Sequence, residues 1–278
     1  MKKFAIILFT LVILIGIFVE IFNFPITELS YVMAEKEKTA SKIPVLLYHH
    51  LLPKEDIKKY GWRKNGSVLA VETFKKQMDY LNKKGFYTAT LDELQSFIDG
   101  DITLPTKTVV ITFDDGYLSN GIYAYPIMKK YGFKGTIFLI GSAGDKEPQS
   151  FNPNTLEFIN INTIGKYKDV FDFQSHTYDL HRMDSKDRPL LLISDEKKII
   201  EDITKSKEQL NAKYLAYPYG KYDGNSIKCL QRVGYKMAFT VEPGYIEKDS
   251  HKYELPRFIV SRRKAPFRKF KKIVNGIY

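Results

Sequence analysis

Short apolar runs alternate along this chain with stretches in which apolar residues return every three or four positions, the order expected of buried strands covered by crossover helices. Ile43 to Tyr48 reads as a first buried strand, and Val71, Phe74, Met78 and Leu81 share one helical face in the segment ending at Gly85. Tyr87 to Thr90 is extended, and Thr90 with Glu93 gives the Thr-x-x-Glu signature that caps a short helix stopping near Gly100. Lys107 to Phe113 is the clearest strand. Beyond it the pattern predicts a helix over Ile122 to Tyr131 and strands over Gly135 to Ile140 and Val170 to Ser175, with an irregular surface insertion from Gly141 to Gly165 between the two strands. A long polar helix from Ser194 to about Asn211, a strand over Tyr214 to Tyr217, a helix from Asp223, and strands over Met237 to Val241 and Phe258 to Ser261 complete an α/β series without internal repeats.

Ahead of this series, Lys2 and Lys3 precede sixteen residues, Phe4 to Val19, whose only weakly polar members are Thr10 and Gly16. This is an export signal, and its length falls between a secretory core and the roughly 20 residues that span a bilayer. Residues 1–34 are therefore expected to be a signal peptide or membrane anchor, with small residues at Val32-Met33-Ala34 suited to cleavage. Residues 35–42 are expected to be a polar linker, and 43–278 the folded domain.

Composition narrows the chemistry. With 278 residues, 44% hydrophobic and 27% charged, the chain has an ordinary globular composition. Its single cysteine, Cys229, can neither close an intrachain disulfide nor supply a multi-thiolate metal site, so any metal must be held by His and carboxylates. The formal charge of +11 is concentrated in Arg257 to Tyr278, which holds eight basic residues and no acidic one. A basic end on a nearly balanced body is unlike a nucleic-acid footprint, so no nucleic-acid partner is expected. It suits contact with an anionic cell surface, and equally a solvated strand and helix.

The ionisable residues that directly follow the expected strands form a set of their own. His49 and His50 follow the first, Asp114 and Asp115 the clearest, His176 the strand ending at Ser175, and Tyr219 with Gly220 the strand through Tyr217. Because βα loops converge at the carboxyl ends of parallel strands, four strands direct these groups at one site. Adjacent side chains on extended chain point opposite ways, so Asp114 and Asp115 are expected to do different jobs, one binding metal and one accepting a proton; Asp-Asp-Gly is also good turn chemistry. His176 and His181 are five apart, which sets them about 140° apart on a helix, so they can share an ion only from a turn. Two His and one carboxylate form a metal set with positions open to water. Pro218-Tyr219-Gly220 can leave a backbone N–H exposed to an oxyanion, or be a plain turn. Trp62, in the polar loop from Lys58 to Ser67, could stack on a sugar or simply anchor its loop.

Together these residues resemble the polysaccharide deacetylase family, also called the NodB-homology or carbohydrate esterase family 4 enzymes, from about Ile43 to the C-terminal strand. The resemblance implies a single catalytic domain with a distorted (β/α) barrel of the NodB-homology type, with core motifs from about residue 107. Thr112-Phe113-Asp114-Asp115 is similar to the family's first motif, which implies Asp114 as catalytic base and Asp115 as metal ligand with His176 and His181. The His spacing of five, where the family commonly has four, resembles the subgroup that deacetylates poly-β-1,6-N-acetylglucosamine. Leu47-Tyr48-His49-His50 is also similar to that subgroup, which implies His49 as general acid, with His50 and His251 as alternatives. The backbone N–H of Tyr219 is implied as an oxyanion donor. Ala216 stands where the family often has an arginine that orients the base. The resemblance thus implies a Zn²⁺-dependent, exported amide hydrolase, associated with the cell wall or outer surface, acting on an N-acetylglucosamine polymer to give a partly cationic product that supports biofilm adhesion. A peptidoglycan or chitin deacetylase is the alternative enzyme, and a surface glycan-binding adhesin the non-enzymatic one.

Overall fold

In the computed structural model, which describes residues 39–148 and 150–278, the apolar runs form strands β1 (Lys42–Tyr48), β2 (His50–Leu52), β3 (Val68–Ala70), β4 (Tyr87–Thr88), β5 (Thr108–Phe113), β6 (Gly135–Leu139), β7 (Phe171–Ser175), β8 (Tyr214–Ala216), β9 (Met237–Phe239), β10 (Tyr245–Glu247) and β11 (Phe258–Ile259). The helical stretches become α1 (Lys54–Lys59), α2 (Val71–Lys83), α3 (Leu91–Ile98), α4 (Tyr125–Lys130), α5 (Gly141–Gly144), α6 (Leu190–Ile193), α7 (Glu196–Leu210), α8 (Gly224–Val233) and α9 (Phe267–Val274). The export segment expected at 1–34 lies outside the described residues. No helix among the described residues is long and apolar enough to cross a membrane.

The main sheet runs β10-β1-β5-β6-β7-β8-β9, parallel except for β10, with β4 beside β5 and β11 beside β1. Its curl follows from burial on both faces. Ile43 and Val45 of β1, Val110 of β5, Tyr214 and Ala216 of β8, and Met237 and Phe239 of β9 share the inner core. The intervening Leu46, Tyr48, Val109, Ile111 and Phe113 pack outward under α2, α4 and α9, and Leu215 and Ala238 pack under α7 and α8. Alternation at period two thus fills two opposite cores. The gap between β9 and β1 is bridged by a few residues: Leu255 pairs with Phe239, and three residues later Phe258 pairs with Leu46. The result is a curled parallel sheet closed by one short seam, the distorted barrel expected from sequence.

Local signals that the sequence carried reappear as geometry. Thr90 and Glu93 form the reciprocal capping box of α3, and Asp195 caps α7 through the Lys198 N–H. Two expectations need correction. The helix expected over Ile122 to Tyr131 begins as a π-turn, Asn120–Ala124, before α4, because Pro126 cannot donate into a regular α ladder. The insertion from Gly141 to Gly165 is no surface loop throughout: Ile159 is fully buried and donates its N–H to Gly116 O, and Phe158 stacks on Tyr117.

The basic C-terminal segment is part of the fold. In α9 the apolar residues Phe270, Ile273 and Val274 are buried while Arg268, Lys271 and Lys272 face solvent. Phe270 packs its ring against Tyr80 of α2 at 6.4 Å. Phe270→Ala should therefore cost about 3–5 kcal/mol of unfolding free energy. Urea denaturation would measure this, and a loss below about 1 kcal/mol would show that α9 is a dispensable arm.

Candidate active site

All the clustered groups stand at the carboxyl ends of parallel strands. Val110, Thr112 and Asp114 alternate along β5 and its end, so the strand period itself turns Asp114 into the barrel. The chain then breaks from extended geometry: Asp115 takes φ 71° and Gly116 φ 78°. Gly116 has no substitute here, because a Cβ would lie 2.2 Å from Leu139 Cδ1. This turn corrects the expectation that the two carboxylates diverge. Both reach His176, whose Nε2 lies 3.9 Å from Asp114 Oδ2 and 3.4 Å from Asp115 Oδ1.

His176 follows β7, and Thr177 at φ 67° reverses the chain so that His181 returns to the same point. Its Nε2 also lies 3.4 Å from Asp115 Oδ1. Two further constraints hold this loop. The His176 Nδ1 is 2.7 Å from Ala216 O, which fixes a proton on Nδ1 and aims Nε2 at the carboxylates. Asp202 of α7 accepts the Tyr178 and Asp179 backbone N–H groups at 2.8 and 2.7 Å. Asp115, His176 and His181 form a group whose ligand atoms all lie within 4.8 Å of one another. Ligand bonds of about 2.1 Å at tetrahedral angles set donor atoms about 3.4 Å apart, so the two nitrogens and the carboxylate oxygen suit one divalent cation.

Asp114 is held by a residue that sequence reasoning missed. Arg257, at the seam between β9 and β1, is fully buried. It donates from Nη1 to Asp114 Oδ1 and from Nη2 to Asp114 Oδ2, both at 2.7 Å, and from Nε to Thr240 O at 2.9 Å. Its guanidinium lies between Phe138 and Phe239, 5.5 and 5.9 Å from their centroids. These rings share the inner core with Ala216, so Arg257 reaches Asp114 through that core. The available signal was a lone charge in an apolar run, Leu255-Pro256-Arg257-Phe258-Ile259-Val260.

The charges follow from this packing. Burial pushes the Asp114 carboxyl up, but Arg257 and then His176 outweigh it and hold it below its usual range. Burial likewise opposes ionisation of Asp115, and the hydrogen bond from His176 with the charges of His49, His176 and His181 overcomes it. Burial disfavours a charged His176, yet the two carboxylates lift its pKa above the usual imidazole value. Burial and the neighbouring His176 push His181 down to about 4. A proton on His176 thus stands where a cation would sit.

The remaining expected residues fall around this centre. His49 is half-buried, close enough for its charge to act on both Asp114 and Asp115. His50 is buried, with Nδ1 2.8 Å from Ser119 Oγ, and its ring lies 5.6 Å from Trp62 and 5.1 Å from Tyr117. Burial and then the nearby Asp115 carboxylate push up the phenol of Tyr117, which sequence reasoning did not single out. Tyr219 takes φ 58°, its ring lies 4.4 Å from His181, and none of the hydrogen bonds found among the described residues uses its backbone N–H. Trp62 donates its indole N–H to Pro153 O at 2.8 Å. His251 is corrected: it follows β10, whose Glu247 pairs with Lys42 at the amino end of β1, and its Nδ1 faces Glu254 at 3.2 Å, at the opposite end of the sheet from the cluster.

Comparisons with known proteins agree with this geometry. A family model described as polysaccharide deacetylase matches residues 101–238. The poly-beta-1,6-N-acetyl-D-glucosamine N-deacetylase of Staphylococcus epidermidis is 32% identical over 213 residues, covering 71% of this chain and 69% of its own. Among solved structures, IcaB from Ammonifex degensii superposes with a TM-score of 0.71 at 25% identity, covering 86% of this chain and 99% of that one. The Streptococcus pyogenes deacetylase PplD in complex with acetate gives a TM-score of 0.69 at 23% identity, over 85% of this chain and 99% of that one, which shows a shared fold.

Two outcomes are expected. Because His176 must lose its proton to ligate, affinity for a divalent cation should fall about tenfold per pH unit once pH drops below the raised His176 titration. Chelator competition at several pH values would measure this, and a flat profile would remove His176 from the ligand set. Arg257→Ala leaves Asp114 buried without its partner and should cost about 3–5 kcal/mol in urea unfolding. A near-neutral result would show that the pair contributes nothing to holding the seam.

Proposed function

The chain belongs to the polysaccharide deacetylase family, and from that premise we propose that it is an exported, Zn²⁺-dependent hydrolase that removes N-acetyl groups from poly-β-1,6-N-acetyl-D-glucosamine. The observation that carries the chemistry is the meeting of Asp115, His176 and His181 around one point with Asp114 alongside, locked by Arg257. The polymer assignment is supported by the Staphylococcus epidermidis relative, by the His spacing of five and by His49-His50 after the first strand. Export is supported by Lys2, Lys3 and the apolar run that follows them.

In this reading Asp115, His176 and His181 hold the Zn²⁺ ion, which when bound acidifies water and polarises the acetyl carbonyl. Asp114 accepts the proton of the attacking water as it adds to the carbonyl carbon. Arg257 occupies both Asp114 oxygens, so the carboxylate is ionised, fixed in orientation and unable to rotate away. The Tyr219 backbone N–H, without a hydrogen-bond partner among the described residues and belonging to a residue whose ring packs on His181, receives the developing oxyanion. As the C–N bond breaks, His49 gives its proton to the departing amine. Its partial exposure lets it exchange that proton with solvent, whereas His50 is buried between Trp62 and Tyr117. The products are acetate and a free amine that becomes cationic, and a matrix polymer so altered would adhere to anionic cell surfaces.

Asp114→Asn should lower acetate release from the β-1,6 polymer by about 10²–10⁴-fold. The variant should still bind zinc stoichiometrically, which metal analysis checks alongside the rate. Turnover close to wild type would sink the assignment of the base. Faster release from chitin oligomers or peptidoglycan than from the β-1,6 polymer would reassign the substrate while leaving the chemistry intact.

A further inference from the structure

A groove of about 540 Å³ lies outside the metal cluster, between α1, the start of α2 and the residues after β11. Arg262 follows β11, which runs parallel to β1 as β5 does, so this part of the lining stands at the same end of the sheet as Asp114. Trp62 and Phe267 contribute aromatic walls, and Lys54, Arg63, Lys76 and Arg262 line it with Glu72 as the only carboxylate. Glu72 is already engaged by the Lys54 backbone N–H at 3.2 and 3.3 Å. The cations are anchored: Lys76 Nζ stands 4.4 Å from the centre of the Phe267 ring, and Arg262 Nη2 donates to Arg63 O at 2.7 Å.

Trp62 joins this groove to the reacting centre. Its ring meets His50 at 5.6 Å, His50 meets Tyr117 at 5.1 Å, and Tyr117 lies within the electrostatic reach of Asp115, two residues before it. A polymer with one sugar at the cluster and its neighbours extended toward Trp62 would meet an aromatic-walled surface whose lining carries a net excess of three positive charges. Every turnover of an amide hydrolase at this centre adds a positive charge to that polymer.

We propose that the groove binds acetylated sugars flanking the one being processed and rejects stretches that already carry free amines, so that deacetylations are spaced along the chain. This inference rests on the hydrolase reading for its meaning, and it concerns binding. Three net charges at about 10 Å across water disfavour an added cation by about tenfold.

The chain has one tryptophan, so its fluorescence reports the groove wall directly. The full-length protein would be titrated at about pH 6, where product amines are protonated. The probes are a fully acetylated β-1,6-N-acetylglucosamine pentamer and a partly deacetylated pentamer. The acetylated pentamer should change Trp62 emission saturably and bind about tenfold more tightly at low salt, and the difference should close in about 1 M NaCl. The R63Q/K76Q/R262Q variant, shown by thermal melting to be folded, should narrow the difference at low salt. Equal affinities at every ionic strength, an unchanged emission, or a difference that the triple variant preserves would overturn the proposal. A selective, salt-sensitive Trp62 response without acetate release would support the groove and refute the hydrolase reading instead.

Discussion

The buried pair of Asp114 and Arg257 is the constraint around which the rest of the molecule is arranged. A carboxylate removed from water costs several kcal/mol unless a partner satisfies it, and here both oxygens are taken by one guanidinium at 2.7 Å. That partner comes from the last crossing of the sheet. Leu255 bridges to β9 and Phe258 pairs with β1, so Arg257 enters the barrel only when the seam closes. The seam that closes the barrel therefore also supplies the partner of Asp114. A chain lacking the segment from Leu255 onward would retain Asp115, His176 and His181 but leave Asp114 without its guanidinium partner.

Local strain serves the same centre. Asp115, Thr177 and Tyr219 each hold a left-handed backbone, a conformation costing about 1–3 kcal/mol for residues that carry a Cβ. Packing from several directions sustains them: Gly116 lets the first turn sit against Leu139, Asp202 holds the loop after Thr177, and Gly220 lies where a Cβ would meet Val241 at 2.3 Å. Each turn redirects one side chain or one backbone N–H from strand geometry toward a common point. Strands alone supply convergence, and the turns supply the last few ångströms.

This division explains what was legible in the sequence. Asp114, Asp115, His176 and Tyr219 could be read because each stands just past an apolar run, where the strand end is set by local pattern, and His181 by its spacing from His176. The direction of Asp115 could not, since alternation assumes extended chain and φ is positive there. Arg257 was hidden by its distance of 143 positions from Asp114 and by the surrounding basic segment, which reads as a charged end. The pairing of His50–Leu52 with Val68–Ala70 was likewise invisible, because each is only three residues long and the partners are separated by the α1 loop. The packing of Ile159 against the Asp115 turn depends on the tertiary route of an insertion that carries no periodicity.

The adjacent histidines show how one residue of register divides labour. Between β1 and β2 the chain stays extended, so neighbouring side chains leave on opposite sides. His49 thereby stands toward the two aspartates with part of its ring in solvent. His50 is turned into protein, bonded to Ser119 and packed on Trp62 and Tyr117. Burial pushes the His50 imidazole down to about 4, so at neutral pH it is an uncharged wedge without the acidic imidazolium proton. A shift of one residue would bury the exchangeable imidazole and expose the wedge, detaching Trp62 from the centre at the same stroke. The same strand end thus sets both the imidazole that faces the two aspartates and the one that packs on Trp62.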